Sequence, residues 1–197
     1  MKNLVAKTIV ITLSAIVCVM TITFGALCVF TPKTVARFFN DVGNYPASVF
    51  FYELQFEQSG SLDDLAILAD NAYSNKDEQG HIKYLSKLVY SKSFVQYCNK
   101  KDQANLSNVS YKEYYTGRLA SAYLGSGNFN KALTLSNSFI GAFGYSQFNP
   151  MRKLVDYKDG LTEQNRTQLK QALLSFDKAN LNVEQLGYLN LDLSKLA

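Results

Sequence analysis

The chain has 197 residues, 18% of them charged, with a formal charge of +4 and a single histidine. Two of its cations, Lys2 and Lys7, precede the first apolar stretch; the rest therefore carries only +2, evenly spread, which argues against a nucleic-acid partner. Of three cysteines only Cys98 lies beyond that stretch, so no disulfide can form within the folded part, which depends on packing.

Between Lys7 and Lys33 no side chain is charged. A helix over residues 8–30 would be about 35 Å long, enough to cross a hydrocarbon core of about 30 Å with some tilt. A cleaved export signal is the alternative, since a basic leader precedes the stretch. The stretch is about twice the usual length of a signal core, however, and no small-x-small site follows it cleanly. Lipidation at Cys28 would need a small residue before it, where Leu27 stands. An uncleaved anchor is therefore favoured. The flanking charges nearly balance (Lys2 and Lys7 against Lys33, Arg37 and Asp41), but a seven-residue leader is no exported domain. The expected location is the cell membrane, single-pass, with the N-terminus cytoplasmic and the C-terminal domain outside the cytoplasm.

Three prolines come next, and each reads as a helix start, where the missing N–H has no intrahelical partner to lose. Pro32 opens a short helix that Gly43 ends. Pro46 precedes an amphipathic run over 47–58, with Phe50, Phe51 and Leu54 on one face and Glu53 and Glu57 on another. The aromatic patch over 49–56 either packs on the later helices or contacts another membrane protein. Pro150 opens a third helix.

Further along, capped helix starts recur at Ser61 (Asp64 three on), Ser110 (Glu113 three on) and Thr162, at spacings of about 50 residues. Second helices follow near Glu78, near Phe129 and near Val183, the last with Asn182 and Gln185 at capping-box spacing. Period and order predict three helical hairpins, with inserts over 91–109 and 141–160 between them. The polar pair Lys100 and Lys101 reads as solvated loop.

The middle hairpin, over 114–139, carries Leu119, Ala120 and Tyr123, then Gly127-Asn128-Phe129, then Ala132 and Leu133. In these positions it resembles the tetratricopeptide repeat family: a large, a small and a tyrosine residue, a Gly-Asp/Asn-aromatic turn, and an alanine in the second helix. Ala120 and Ala132 let the helices approach, and Gly127 suits the positive φ of a tight turn. The first hairpin keeps Ala69, Tyr73, Ile82 and Tyr84 but replaces the turn by Asp77-Glu78-Gln79. The third keeps only helical rhythm, in Leu169, Leu173 and Phe176, then Leu186, Leu189 and Leu193. The resemblance implies an all-α fold, an N-terminal transmembrane helix followed by a tetratricopeptide-like α-solenoid of about three hairpins. The division is 1–7 basic leader, 8–31 transmembrane helix, 32–60 juxtamembrane helices and 61–197 repeat domain.

No catalytic constellation is legible. His81 reads as a solvated first-turn residue, Cys98 as a buried inert thiol, and Asp63 and Asp64 as dipole-compensating charges. Gly125-Ser126-Gly127 lacks the Gly-Lys-Ser/Thr ending of a phosphate loop. Triplets for N-glycosylation at Asn105, Asn108 and Asn165 occur at the frequency that chance allows. The expectation is thus no enzyme, no cofactor and no metal, but a module holding a protein or peptide partner near the membrane. Stacked hairpins offer an inner face from their first helices; Asn71, Lys112, Tyr115, Arg118 and Ser121 are the candidate partner-binding residues there. The alternative is a self-associating structural spacer.

Overall fold

A computed structural model describes residues 2–104, 110–143 and 145–197, with the side chains of 5–104, 110–138 and 145–197. The described residues are all-helical, with eleven α-helices, two single-turn 3-10 segments and no strand. They gather into two compact units, Met1–Asn75 and Lys76–Ala197.

The first unit contains α1 (Lys2–Phe30), α2 (Pro32–Asp41), α3 (Tyr45–Ser59) and α4 (Leu62–Ser74). Over Val5–Phe30, α1 is long and apolar enough to cross a membrane, and its apolar window is not buried against any other part of the chain. The hydroxyls of Thr21 and Thr31 donate back to the carbonyls of Val17 and Leu27, so neither needs water. Thr31 is the single residue between α1 and α2. Pro32 and Pro46 fall at helix starts as expected, and Gly43 takes φ 76° in the turn after α2.

α3 packs against α2 and against α4. Having neighbours on two sides, it buries Ser48 and Tyr52, and the simple division of the run into an apolar and an acidic face does not hold: Phe50 is exposed. Asp63 and Asp64 do lie in the first turn of α4, but Ser61 makes no side-chain cap. The reason is tertiary. The Asp64 carboxylate is buried and accepts from Lys33 Nζ at 2.9 Å and from Ser59 Oγ at 2.9 Å, tying α4 to α2 and to the end of α3. Tyr73, expected to keep the apolar rhythm, is exposed; Leu65, Ala66, Leu68, Ala69 and Ala72 are the buried apolar positions of α4.

The second unit holds α5 (Glu78–Val89), α6 (Phe94–Ala104), α7 (Tyr111–Gly125), α8 (Phe129–Phe143), α9 (Pro150–Asp156), α10 (Glu163–Leu174) and α11 (Val183–Lys195). The unit boundary separates α4 from α5, the two helices that the sequence pairs as a first hairpin. α7 is the hub, packed against α5, α6, α8 and α9. The α7–α8 hairpin forms where expected: Leu119, Ala120 and Ala132 are fully buried, Tyr123 and Phe129 nearly so, and Gly127 takes φ 76° in the turn. Leu135, rather than Leu133, fills the core from α8.

Both expected inserts contain helices. α6 covers most of the first, so Lys100 and Lys101 are helical; Phe94 and Cys98 are its buried anchors. α9 starts at Pro150 and buries Met151, Leu154 and Val155. Thr162 caps α10, and Asn182 with Gln185 forms a complete capping box on α11. Asn105 and Asn108 lie outside the described residues; Asn165 sits in the first turn of α10.

Candidate interaction site

Of the five residues expected to line a partner groove, Asn71 belongs to the first unit and the other four to α7. Asn71 is buried, and its Nδ2 donates to the buried Ser48 Oγ at 3.1 Å, so it joins α3 to α4 instead of facing outward. Tyr115 is also buried. The physical reason is the crowding of α7: packing on α5, α6, α8 and α9 leaves it no wholly open inner face, and Glu113, Thr116 and Gly117 are buried with Tyr115. Lys112, Arg118 and Ser121 remain partly exposed, Ser121 with its hydroxyl turned back to the Gly117 carbonyl at 2.9 Å.

Around them the structure assembles a feature that periodicity alone does not reveal. Tyr97 of α6 and Tyr111, Tyr114 and Tyr115 of α7 form one aromatic cluster. Tyr115 has neighbouring ring centroids at 6.3 Å (Tyr97), 6.0 Å (Tyr111) and 5.1 Å (Tyr114). Cations frame it. Lys101 Nζ is 5.6 Å from the Tyr97 ring, and the Arg118 guanidinium is 5.4 Å from the Tyr114 ring while its Nη1 donates to Tyr114 Oη at 3.2 Å. Both pairs are four residues apart on one helix, the spacing that stacks side chains. The signal available in the sequence was the Tyr111, Tyr114, Tyr115 spacing followed by Arg118.

The start of α7 is organised from outside its own sequence. Ser110 makes no side-chain cap; Asp102 Oδ1, near the end of α6, accepts from the Tyr111 N–H at 2.8 Å. Glu113, expected to complete a capping box, is buried and accepts from Ser146 Oγ at 2.7 Å. Burial, the main cause, holds its carboxyl above the usual glutamate range, with the Ser146 hydrogen bond acting in the opposite direction. Cys98, fully buried on α6, has its thiol pushed up to about 12, by burial first and by the charge of Asp102 second. A thiol so held is a poor nucleophile. His81 is buried in the first turn of α5, not solvated.

Among the described residues no group of three histidine, cysteine, aspartate or glutamate side chains is placed to hold a metal ion. What the α6–α7 face offers is tyrosine rings with cations over them, an arrangement suited to stacking and to carboxylate contacts. Comparison with known proteins gives no match to a family model, a curated protein or a solved structure.

Proposed function

We propose that this chain is a single-pass membrane protein whose helical, tetratricopeptide-like body captures a protein or peptide partner close to the bilayer, as a scaffold or assembly factor. One observation carries the reading: the apolar length of α1 is left uncovered by the rest of the chain, while the helices after it make their own core. Such a segment is spare for lipid, and the back-bonded hydroxyl of Thr21 suits it to that medium. The resemblance of the α7–α8 hairpin to a tetratricopeptide repeat supports the assignment to interaction modules, and the tyrosine–cation face of α6 and α7 is the surface best equipped for it. Tyrosine and arginine are the residues most often energetic at interfaces. Anchoring would confine the search for a partner to a thin layer and raise its effective concentration.

The test is a photo-crosslinking residue placed at Arg118 or, separately, at Lys101 in the membrane-embedded full chain. Adducts to a different protein, lost when Arg118→Glu accompanies the probe at position 101, support capture at this face. Absence of adducts from both positions, or adducts only to a second copy, overturns it, and the second result favours a self-associating spacer. Orientation is tested separately. Cys18, Cys28 and Cys98 are replaced by serine, exposed Asn130 by cysteine, and intact cells are treated with an impermeant maleimide. Labelling before lysis supports a body outside the cytoplasm; labelling only after lysis overturns that orientation.

A further inference from the structure

The hairpin that succeeds α1 carries an aromatic strip that its own packing leaves open. Phe38 and Phe39 of α2 and Phe51 and Phe50 of α3 form a continuous row: centroids are 5.5 Å apart for Phe38 and Phe39, 5.6 Å for the parallel pair Phe39 and Phe51, and 5.1 Å for Phe51 and Phe50. The middle rings are half-buried where the helices meet. The end rings are not: Phe38 is 58% exposed and Phe50 61%, and Val42, one turn beyond Phe38, is 60% exposed. The inner side of the same helix pair is already filled by Val35, Ala36, Ser48 and Tyr52. The strip is therefore surplus to the core of this unit.

Its height is fixed twice over. Phe38 follows Phe30, the last residue of α1, by eight residues, at most about 12 Å of helical rise. Phe50 precedes Gln58 by eight residues, again about 12 Å, and Gln58 Nε2 donates to the Val29 carbonyl at 3.3 Å. The two exposed rings thus stand at matching distances from the end of α1, one measured up α2 and the other back along α3. A bilayer carries about 5–8 Å of polar interface on each side of its hydrocarbon core; about 12 Å is the greatest height the rings can have, reached only with α2 and α3 along the membrane normal, so an inclined hairpin brings both into that layer.

We propose that the Phe38–Phe39–Phe51–Phe50 strip and Val42 rest in the interfacial layer of the membrane that α1 crosses, making the α2–α3 hairpin a lipid-contacting collar. The inference rests on the anchoring of α1. Lipid is the occupant because of covalent continuity: one residue, Thr31, separates the apolar helix from the hairpin, and the Gln58–Val29 hydrogen bond closes the other end onto the same helix. The exposed part of α2 and the Val42 that follows it have the composition of an interfacial helix, with Phe38 and Val42 on one side of the exposed surface and Arg37 and Asp41 on the other.

The chain contains no tryptophan, so each introduced tryptophan is a clean reporter. Full-length Phe24→Trp, Phe38→Trp and Phe50→Trp variants are reconstituted in nanodiscs of phosphatidylcholine and phosphatidylglycerol with acyl chains brominated at a shallow or a deep position. The expected result is that deep bromines quench the indole at position 24, while shallow ones quench those at positions 38 and 50, which are also protected from aqueous iodide. Quenching at position 24 with iodide-accessible emission at 38 and 50 overturns the collar and leaves the anchor standing. No bromine quenching at 24 overturns the anchoring itself, whatever positions 38 and 50 report. Blue-shifted emission at 38 and 50 that neither bromine nor iodide quenches means that protein covers the strip, and the collar is overturned.

Discussion

The phenolic hydroxyl of Tyr145 donates to Asp192 Oδ2 at 2.9 Å, joining the segment after α8 to the C-terminal helix across 47 residues of sequence. The carboxylate is almost wholly buried and also receives Arg152 Nε at 2.8 Å from α9, with Lys195 Nζ at 3.3 Å on its other oxygen. The Arg152 guanidinium lies in turn over the Tyr188 ring at 4.5 Å. One aspartate thus ties α11, which buries only Leu189 besides Asp192, to α9 and the Tyr145 segment, whose side chains lie in the core.

Removing one partner from such a network exposes the asymmetry of buried polar groups. Tyr145→Phe deletes a donor from a carboxylate still held by Arg152, at an expected cost of about 1–2 kcal/mol. Asp192→Ala strands the Tyr145 hydroxyl and the arginine together, at about 3–4 kcal/mol. Urea unfolding of the full chain in micelles, followed by far-ultraviolet circular dichroism, checks both. The double variant should cost clearly less than the sum of the single ones; strict additivity would mean that the two groups act independently.

Alkaline pH is expected to destabilise the second unit through Cys98. An unfolded thiol ionises near pH 9, whereas burial holds this one protonated to about 12. Between those values the folded chain binds more protons than the unfolded chain, so stability falls as pH rises. Burial also raises Tyr145, with the Asp192 charge adding to it, and this extends the decline above pH 10. Thermal midpoints measured from pH 8 to about 11 should drop, and less steeply in Cys98→Ala.

Ser48→Ala leaves the Asn71 amide buried between α3 and α4 without its 3.1 Å acceptor. The expected cost is about 1–3 kcal/mol, read as a lower urea midpoint. Asn71→Ala in the same background should cost little more, because the stranded donor is then gone.

Gly127→Ala tests the hairpin turn. At φ 76° the new methyl meets no neighbouring atom, so the penalty is purely conformational, about 1–2 kcal/mol. A loss much larger than this would show that the turn is held by contacts that the backbone angle does not explain.

Signals carried by one or two adjacent turns were legible in the sequence. Pro32, Pro46 and Pro150 mark starts because of what proline lacks, and the Asn182–Gln185 box closes within four residues. The same reading fails at Ser61 and Ser110, since Asp64 and Glu113 spend their carboxylates on Lys33, Ser59 and Ser146 from elsewhere in the chain. Cap spacing cannot register a distant competitor. The candidate groove fails in the same way. Tyr115 and Asn71 look like surface residues on an isolated hairpin, and only the neighbours of α7 and the contact of α3 with α4 bury them. The polar α6 escapes periodicity because its apolar positions are too few to set a phase, whereas α9 was legible from its opening Pro150.

The joint at Thr31 has a mechanical meaning. A flexible linker lets a domain roam over a radius of about 5–6 Å times the square root of its residue number, and most orientations are then wasted on any given encounter. With a single residue between α1 and α2, and Gln58 clasped to Val29, the first unit has almost no leash to roam on. If α1 is the anchor, that unit turns with its membrane helix as one body, and lateral diffusion is the freedom it keeps. A tilt or rotation imposed on α1 within the bilayer would therefore be carried directly into the α2–α3 hairpin, as a lever carries it. Inserting a few glycine and serine residues at Thr31, together with Gln58→Ala to release the Val29 carbonyl, would uncouple the two.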